Sequence, residues 1–164
     1  MKIGVISDTH DNIETTLKAI SFFEREEVDA VIHCGDMVSP FTAKLFEAGF
    51  DFYAVRGNND GEWDLKQTVS NFGEFFNNVA EIEFDDHFIA VYHGTEESVV
   101  DGLVKSGNYN YVLRGHTHQK KLREVDGTME INPGGIKLPS QEEEFHIVIL
   151  NLETEDIEFH RCNV

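Results

Sequence analysis

The chain has 164 residues, 40% of them hydrophobic, with thirteen Phe, enough for one domain with a real core and too apolar for a disordered segment. Its formal net charge of −18 argues against wrapping a nucleic-acid polymer, which needs basic surface, though a small anionic substrate remains compatible if bound cations reverse the local field. The apolar run from Met1 to Ser7 is too short for a signal peptide, no stretch approaches the roughly 20 apolar residues of a membrane span, and two isolated cysteines make no framework, so a reducing cytoplasm and no membrane are expected.

Residues 2–7 (KIGVIS) read as a buried strand. Residues 11–27 carry apolar Ile13, Leu17, Ile20 and Phe23 at helical spacing, and Asp11 with Glu14 has the form of a capping box. Residues 29–34 form a second strand. Ser39-Pro40 opens a helix running to about Ala48, and residues 51–55 form a third strand. This β-α-β-α-β start implies parallel strands joined by crossover helices. A short helix over 63–72, a hairpin over 79–93 turning at Asp85-Asp86, and a helix over 96–107 ended by Gly107 follow. Then come a strand at 111–114, a hairpin through 121–132 turning at Asp126-Gly127, and strands at 145–153 and 156–163. The expectation is a single α/β (α+β) domain over 1–164, a four-layer αββα sandwich of two mixed β-sheets flanked by helices.

Ligands of parallel sheets bind beyond the carboxyl ends of strands, so the residues that follow each strand matter most. They are SDTHDN with Asp8 and His10, CGDM with Asp36, RGNNDG with Asn58, Asn59 and Asp60, YHGT with His93, and RGHTHQ with His116 and His118. Singly, each is ordinary. Asp-Thr-His reads as a helix cap beside a surface histidine, Gly-Asp as a turn, and Gly-Asn-Asn-Asp-Gly as a tight turn. Their recurrence at one end of one predicted sheet is not turn chemistry alone. Carboxylates and imidazoles without thiolates suit two divalent ions, with Mn, Ni, Fe, Zn and Co all compatible. Two such ions about 3.5–4 Å apart can clamp both oxygens of a phosphoryl displacement.

The blocks DTH (8–10), GD (35–36), GNND (57–60), HG (93–94), GHTH (115–118) and INPGG (131–135) resemble, in order and from end to end, the calcineurin-like metallophosphoesterases, and more narrowly their small single-domain prokaryotic phosphodiesterases. The resemblance implies one metal on Asp8, His10 and His118, a second on Asn58, His93 and His116, and Asp36 bridging both. It implies hydrolysis of a small phosphate ester by a metal-bridging hydroxide. Many members follow the ligand asparagine with a histidine that protonates the leaving group and an acid that orients it. Here those positions hold Asn59 and Asp60. An amide is no general acid near neutral pH, and that assistance is worth about 10²–10⁴-fold. Thr95 likewise stands where relatives often carry histidine.

The competing expectation is a catalytically weak metal-binding scaffold or interaction module of the same fold; a degenerate scaffold would be marked by replaced ligands. All seven positions are filled. A nuclease is disfavoured by the acidic surface. Homo-oligomerisation is left open. Other residues take plain readings: His33, His87, His146 and His160 structural or on the surface, Cys34 in the core, Arg56 and Arg114 in salt bridges with phosphate contact as the alternative, Trp63 buried in the core with lining of the pocket as the alternative, and residues 141–145 a solvated loop.

Overall fold

The computed structural model describes residues 1–61, 63–136 and 145–162. Among these residues eleven strands form two mixed sheets: β1 (Lys2–Ile6), β2 (Ala30–His33), β3 (Asp51–Val55), β4 (Gly73–Phe76), β5 (Val79–Phe84), β6 (His87–Tyr92), β7 (Tyr111–Leu113), β8 (Lys121–Val125), β9 (Thr128–Asn132), β10 (His146–Asn151) and β11 (Asp156–Arg161). The first sheet has the order β11-β10-β1-β2-β3-β4 and the second β5-β6-β7-β9-β8. In the first, β1 to β4 run parallel while β10 joins β1 antiparallel. In the second, β6, β7 and β9 are parallel, with antiparallel β5 and β8 outside them.

Strand alternation explains the layering. From β1, Ile3 and Val5 enter the layer between the sheets with Ile32, Val55, Ile89, Val91, Leu113, Val148 and Leu150. Ile6 faces the other way, toward Phe23, Phe46, Phe52 and the helices. Gly4 lies on that helical side as well, because a Cβ there would come within 2.6 Å of the Phe23 ring. On the far face, Ala90 and Val112 meet Val100 and Val104 of a helix. The molecule is therefore helix, sheet, sheet, helix, as its residue pattern predicts.

The helices are α1 (Ile13–Arg25), α2 (Pro40–Ala43), continued as a 3₁₀ turn Lys44–Phe46, α3 (Trp63–Val69) and α4 (Glu97–Lys105). Helix α1 is capped one residue later than expected. The Asn12 side chain accepts from the Thr15 amide at 3.0 Å, while Glu14 pairs outward with Lys18 at 2.8 Å. Asp11 is thereby free for another helix: it accepts from Ser39 N (3.1 Å), Ser39 Oγ (2.7 Å) and Thr42 Oγ1 (2.5 Å) at the start of α2. Helix α2 stops short of Ala48 because Phe46 turns inward to stack on Phe52 at 4.7 Å. Strand β4 occupies the edge beyond α3, where the sequence suggests no strand. Trp63 is exposed, not buried: α3 buries Leu65 and Val69, four residues apart, and Trp63 falls on the opposite face. Residues 141–144 lie outside the described residues, and Phe145 is core rather than loop. Gly107, at φ +70°, ends α4 as expected, and both two-residue turns form.

One buried ion network ties the second sheet to α4. Glu130, on β9, is fully buried. It accepts from Lys121 (2.8 Å) and Arg123 (2.6 Å) and lies 3.4 Å from Arg114, which also pairs with Glu97 at 2.7 Å. Burial alone would raise the Glu130 carboxyl, but Lys121 and Arg123 outweigh it and hold it below its ordinary range. A lowered folded value means its stabilisation is present above the unfolded pKa and is lost as pH falls through the folded one. Glu130→Gln should therefore cost about 3 kcal/mol at neutral pH in urea unfolding, with the gap to wild type closing in acid below about pH 4.5. An unchanged gap at low pH would contradict the network.

Candidate metal centre

All five polar strand ends meet at one edge of the sandwich. The loop after β1 carries Asp8 and His10, that after β2 Asp36, that after β3 Asn58 to Asp60, that after β6 His93, and that after β7 His116 and His118. Ligand atoms of Asp8, His10 and His118 lie within 4.8 Å of one another, as do those of Asp8, Asp36 and His93. The Asn58 carbonyl oxygen sits 3.0 Å from His93 Nε2 and 2.9 Å from His116 Nδ1. Asp36 Oδ2 stands midway, 3.5 Å from His10 Nε2 and 3.4 Å from His93 Nε2. The structure thus brings all seven sequence-predicted ligand residues into one constellation.

Neighbouring groups fix these side chains. His93 Nδ1 meets the Cys34 carbonyl at 2.7 Å and His118 Nδ1 the Ile136 carbonyl at 2.8 Å, which puts the proton on Nδ1 and turns each Nε2 lone pair inward. Asp8 Oδ2 accepts from Ser7 Oγ (2.6 Å) and the His116 amide (2.9 Å). Its other oxygen, Oδ1, is buried, has no hydrogen-bond partner, and is ringed by His118, His10 and His93 Nε2 at 3.4, 3.9 and 4.0 Å. A buried carboxylate oxygen without a donor is costly, and a cation is the group that satisfies it among imidazole lone pairs. The residues fit divalent metal on this count. Without a cation, burial pushes the Asp8 carboxyl up. Burial also acts to raise Asp36, but the neighbouring His93 and the two Asn59 donors hold it well below the usual range.

The backbone adopts strained conformations here. Asp8, His10, Asp36, His116 and His118 all have positive φ, between 41° and 71°. Positive φ is uncommon for residues other than glycine, and five together in one centre persist where the surroundings over-determine them. Asp60 supplies much of that determination. It is buried, and its carboxylate accepts from the amides of Asp36 (2.9 Å), Val38 (2.6 Å) and Gly57 (2.8 Å), locking the second loop to the third. Both its oxygens are spent on backbone, so it orients loops and not the side chain of Asn59. Asn59 instead turns inward, its Nδ2 donating to Asp36 Oδ2 at 2.7 Å and its amide to Oδ1 at 2.8 Å.

Further residues support the centre, among them His33 and Arg114, whose structural and salt-bridge readings hold although the loops they brace do not show in the sequence. His33, buried at the end of β2, accepts from Gly35 N (3.2 Å) and faces Thr9 Oγ1 (3.1 Å). Burial, then the neighbouring His93, holds its pKa down to about 3, so it stays neutral. Asn132 donates to Gly115 O (2.9 Å) and Thr117 Oγ1 (3.0 Å), which gives the INPGG block a physical role. A polar residue ending the apolar strand β9 was its signal. Arg114 is buried and reaches Gly94 O at 3.2 Å, joining the His93 and His116 loops. Arg56 donates to the Asp60 carbonyl at 3.0 Å and pairs with no carboxylate among the described residues. Thr95 pairs with the Tyr92 hydroxyl at 2.7 Å.

Two mixed sheets between helices, with carboxylates and imidazoles gathered at the strand ends, define the architecture of a phosphoester hydrolase, and comparison with known proteins agrees. Residues 1–155 match the profile of the calcineurin-like phosphoesterase superfamily domain. Phosphodiesterase MJ0936 of Methanocaldococcus jannaschii is 44% identical over 138 residues, covering 82% of this chain and 83% of that one. A solved archaeal phosphodiesterase superposes with a TM-score of 0.91 at 38% identity, over 98% of this chain and 99% of the other. Vps29 of Entamoeba histolytica, solved with zinc, shares the fold at a TM-score of 0.69 and 15% identity, over 99% of this chain and all of that one. The chain belongs to the calcineurin-like phosphoesterase superfamily and is an enzyme of phosphoester hydrolysis.

Gly115 leaves no room for change: a Cβ there would lie 1.8 Å from Ser7 Oγ and 2.4 Å from Asp8 Oδ2. Gly115→Ala should keep its circular-dichroism spectrum yet bind Mn²⁺ about 10–100-fold more weakly by calorimetry. Undiminished affinity would mean that Asp8 takes no part in metal binding.

Proposed function

We propose that the chain hydrolyses small phosphodiesters at a two-metal centre, with Asp8, His10 and His118 holding one divalent ion, Asn58, His93 and His116 the other, and Asp36 shared. The observation that carries this reading is Asp36 Oδ2, nearly equidistant from His10 of the first set and His93 of the second. The unpartnered Asp8 Oδ1 supports it. When bound, two divalent ions would supply Lewis acidity, bringing the pKa of water toward neutrality and offsetting charge on the phosphoryl group. Manganese is the preferred candidate, with nickel, iron, zinc and cobalt matching the same oxygen and nitrogen donors. Two such ions against two carboxylates leave a locally positive pocket on an acidic protein, which draws in an anionic ester.

The chain's own residues then orient and position. Asn59 steadies the Asp36 carboxylate through two donors, His93 and His118 present fixed lone pairs, and Asp60 holds the loops that carry Asp36 and Asn58. Position 59 offers no dissociable proton, so the leaving alcohol departs largely unassisted. Esters with acidic, activated leaving groups should be the good substrates. Both cysteines are buried and unpaired, in keeping with a reducing, cytoplasmic setting. One domain over the whole chain completes the reading.

Bis-p-nitrophenyl phosphate should be turned over with Mn²⁺, with activity removed by EDTA and restored by the metal. No turnover with any divalent ion would overturn the proposal. In a series of aryl and alkyl esters, wild-type kcat should depend steeply on leaving-group pKa. Asn59→His should flatten that dependence, raising rates on poor leaving groups by about 10-fold or more. A slope unmoved by the substitution would place residue 59 away from the leaving group.

A further inference from the structure

Two residues past Asp36, Val38 has φ +82°. Asp and Asn visit the left-handed region at modest cost, but a β-branched side chain there is an outlier, and Val38 is the only β-branched residue at positive φ among those described. Such a residue persists only where its neighbours hold it in place. The neighbours here are two carboxylates. Asp60, from the loop after β3, accepts from the Val38 amide at 2.6 Å. Asp11, from the loop after β1, takes the next amide: its Oδ1 accepts from Ser39 N at 3.1 Å, from Ser39 Oγ at 2.7 Å and from Thr42 Oγ1 at 2.5 Å. The turn that carries Asp36 is thus gripped from both sides, and Asp11 itself belongs to neither ligand set.

Asp11 is also the residue that follows His10. The loops after β1 and β2 run side by side through three backbone bonds: Asp8 N to Gly35 O at 2.9 Å, His10 N to Asp36 O at 3.0 Å and Asp11 N to Met37 O at 3.4 Å. The bonds lengthen along this seam, and where they run out the Asp11 carboxylate continues it onto Ser39 and Thr42. Bonds to an ionised acceptor are stronger than neutral ones, so this last link is the one fit to hold a strained turn. Inside the seam stand His10 on one loop and Asp36 on the other, with Nε2 and Oδ2 3.5 Å apart. We infer that Asp11 is a positioning residue of the metal centre: it keeps the Val38 turn closed and so fixes Asp36 opposite His10. Without that grip the turn relaxes toward the negative φ that valine prefers and carries Asp36 with it. The inference rests on the two-metal reading above.

Calorimetric titration of metal-stripped protein with Mn²⁺ tests this, on variants whose circular-dichroism spectra match wild type. Asp11→Ala should weaken Mn²⁺ binding about 10–100-fold. Asp11→Asn keeps an accepting oxygen and loses only the charge, so it should retain most of the affinity. Val38→Gly, added to Asp11→Ala, should restore much of the loss, because glycine adopts positive φ without strain and needs no grip. Thr42→Val removes one of the three donors and should give a smaller loss in the same direction, which decides the matter if Asp11→Ala does not fold. A contact that merely supports the start of α2 would lower the urea midpoints of the Asp11 and Thr42 variants and leave their Mn²⁺ affinity at the wild-type value, and that result would overturn the inference. So would an equal loss in Asp11→Ala and Asp11→Asn with no recovery by Val38→Gly, which would make Asp11 only a negative charge near the ions. A wild-type chain that binds a single ion refutes the two-metal reading, yet the affinity for that ion still decides the role of Asp11. No binding at all overturns both.

Discussion

Two carboxylates placed out of water, with imidazoles around them, set the terms for this molecule. Asp8 is fully buried, and one of its oxygens has no donor. An arrangement of that kind is unfavourable for an isolated chain, and the surrounding structure offsets the cost by multiple hydrogen bonds to the other oxygen and to Asp36. The sandwich serves this end. Parallel strands deliver several loops to one edge, and a core on each side of the first sheet keeps those strand ends from shifting.

Holding the loops close requires backbone that most residues avoid. Five of the seven proposed ligands sit at positive φ, and the glycines beside them mark close approaches. Gly57 is an example, since a Cβ there would fall 2.1 Å from Asp36 Oδ1. Asp60 resolves the competing demands by accepting three amides that the strained turns leave without strand partners. Position 60 is in this sense an organising residue of the centre. Its neighbour Asn59 is part of the same support, donating from both its amide and its side chain to the Asp36 carboxylate.

The strand ends are legible in the sequence because period-2 burial and parallel topology are local and general, so Asp8, His10, Asp36, Asn58, His93, His116 and His118 group together from the sequence alone. Hairpin turns at Asp85-Asp86 and Asp126-Gly127 were legible for the same reason. Strand β4 was not, since Gly73-Glu74-Phe75-Phe76 has no alternation of its own and is held at the sheet edge by β3. Asp11 and Asn12 exchanged roles because the choice of cap depends on where Ser39 and Thr42 lie in space. Trp63 was misplaced because a lone aromatic suggests a core, whereas the face of α3 was already assigned by Leu65 and Val69. His33, Asn132 and Arg114 act through long-range hydrogen bonds that leave only faint traces in sequence.

The acidity of the chain and the chemistry of its site now read as one design. On the proposed reading, a protein of net charge −18 would draw its catalytic positive charge from bound cations rather than from lysine or arginine, and metal occupancy would govern how strongly an anionic ester is attracted. The most direct measurement is the number of Mn²⁺ ions bound per chain at neutral pH, taken on metal-stripped protein by calorimetry and checked by elemental analysis. The account predicts two ions in wild type, one in His10→Ala and one in Asn58→Ala. A single ion in wild type, or loss of the same ion in both variants, would contradict it.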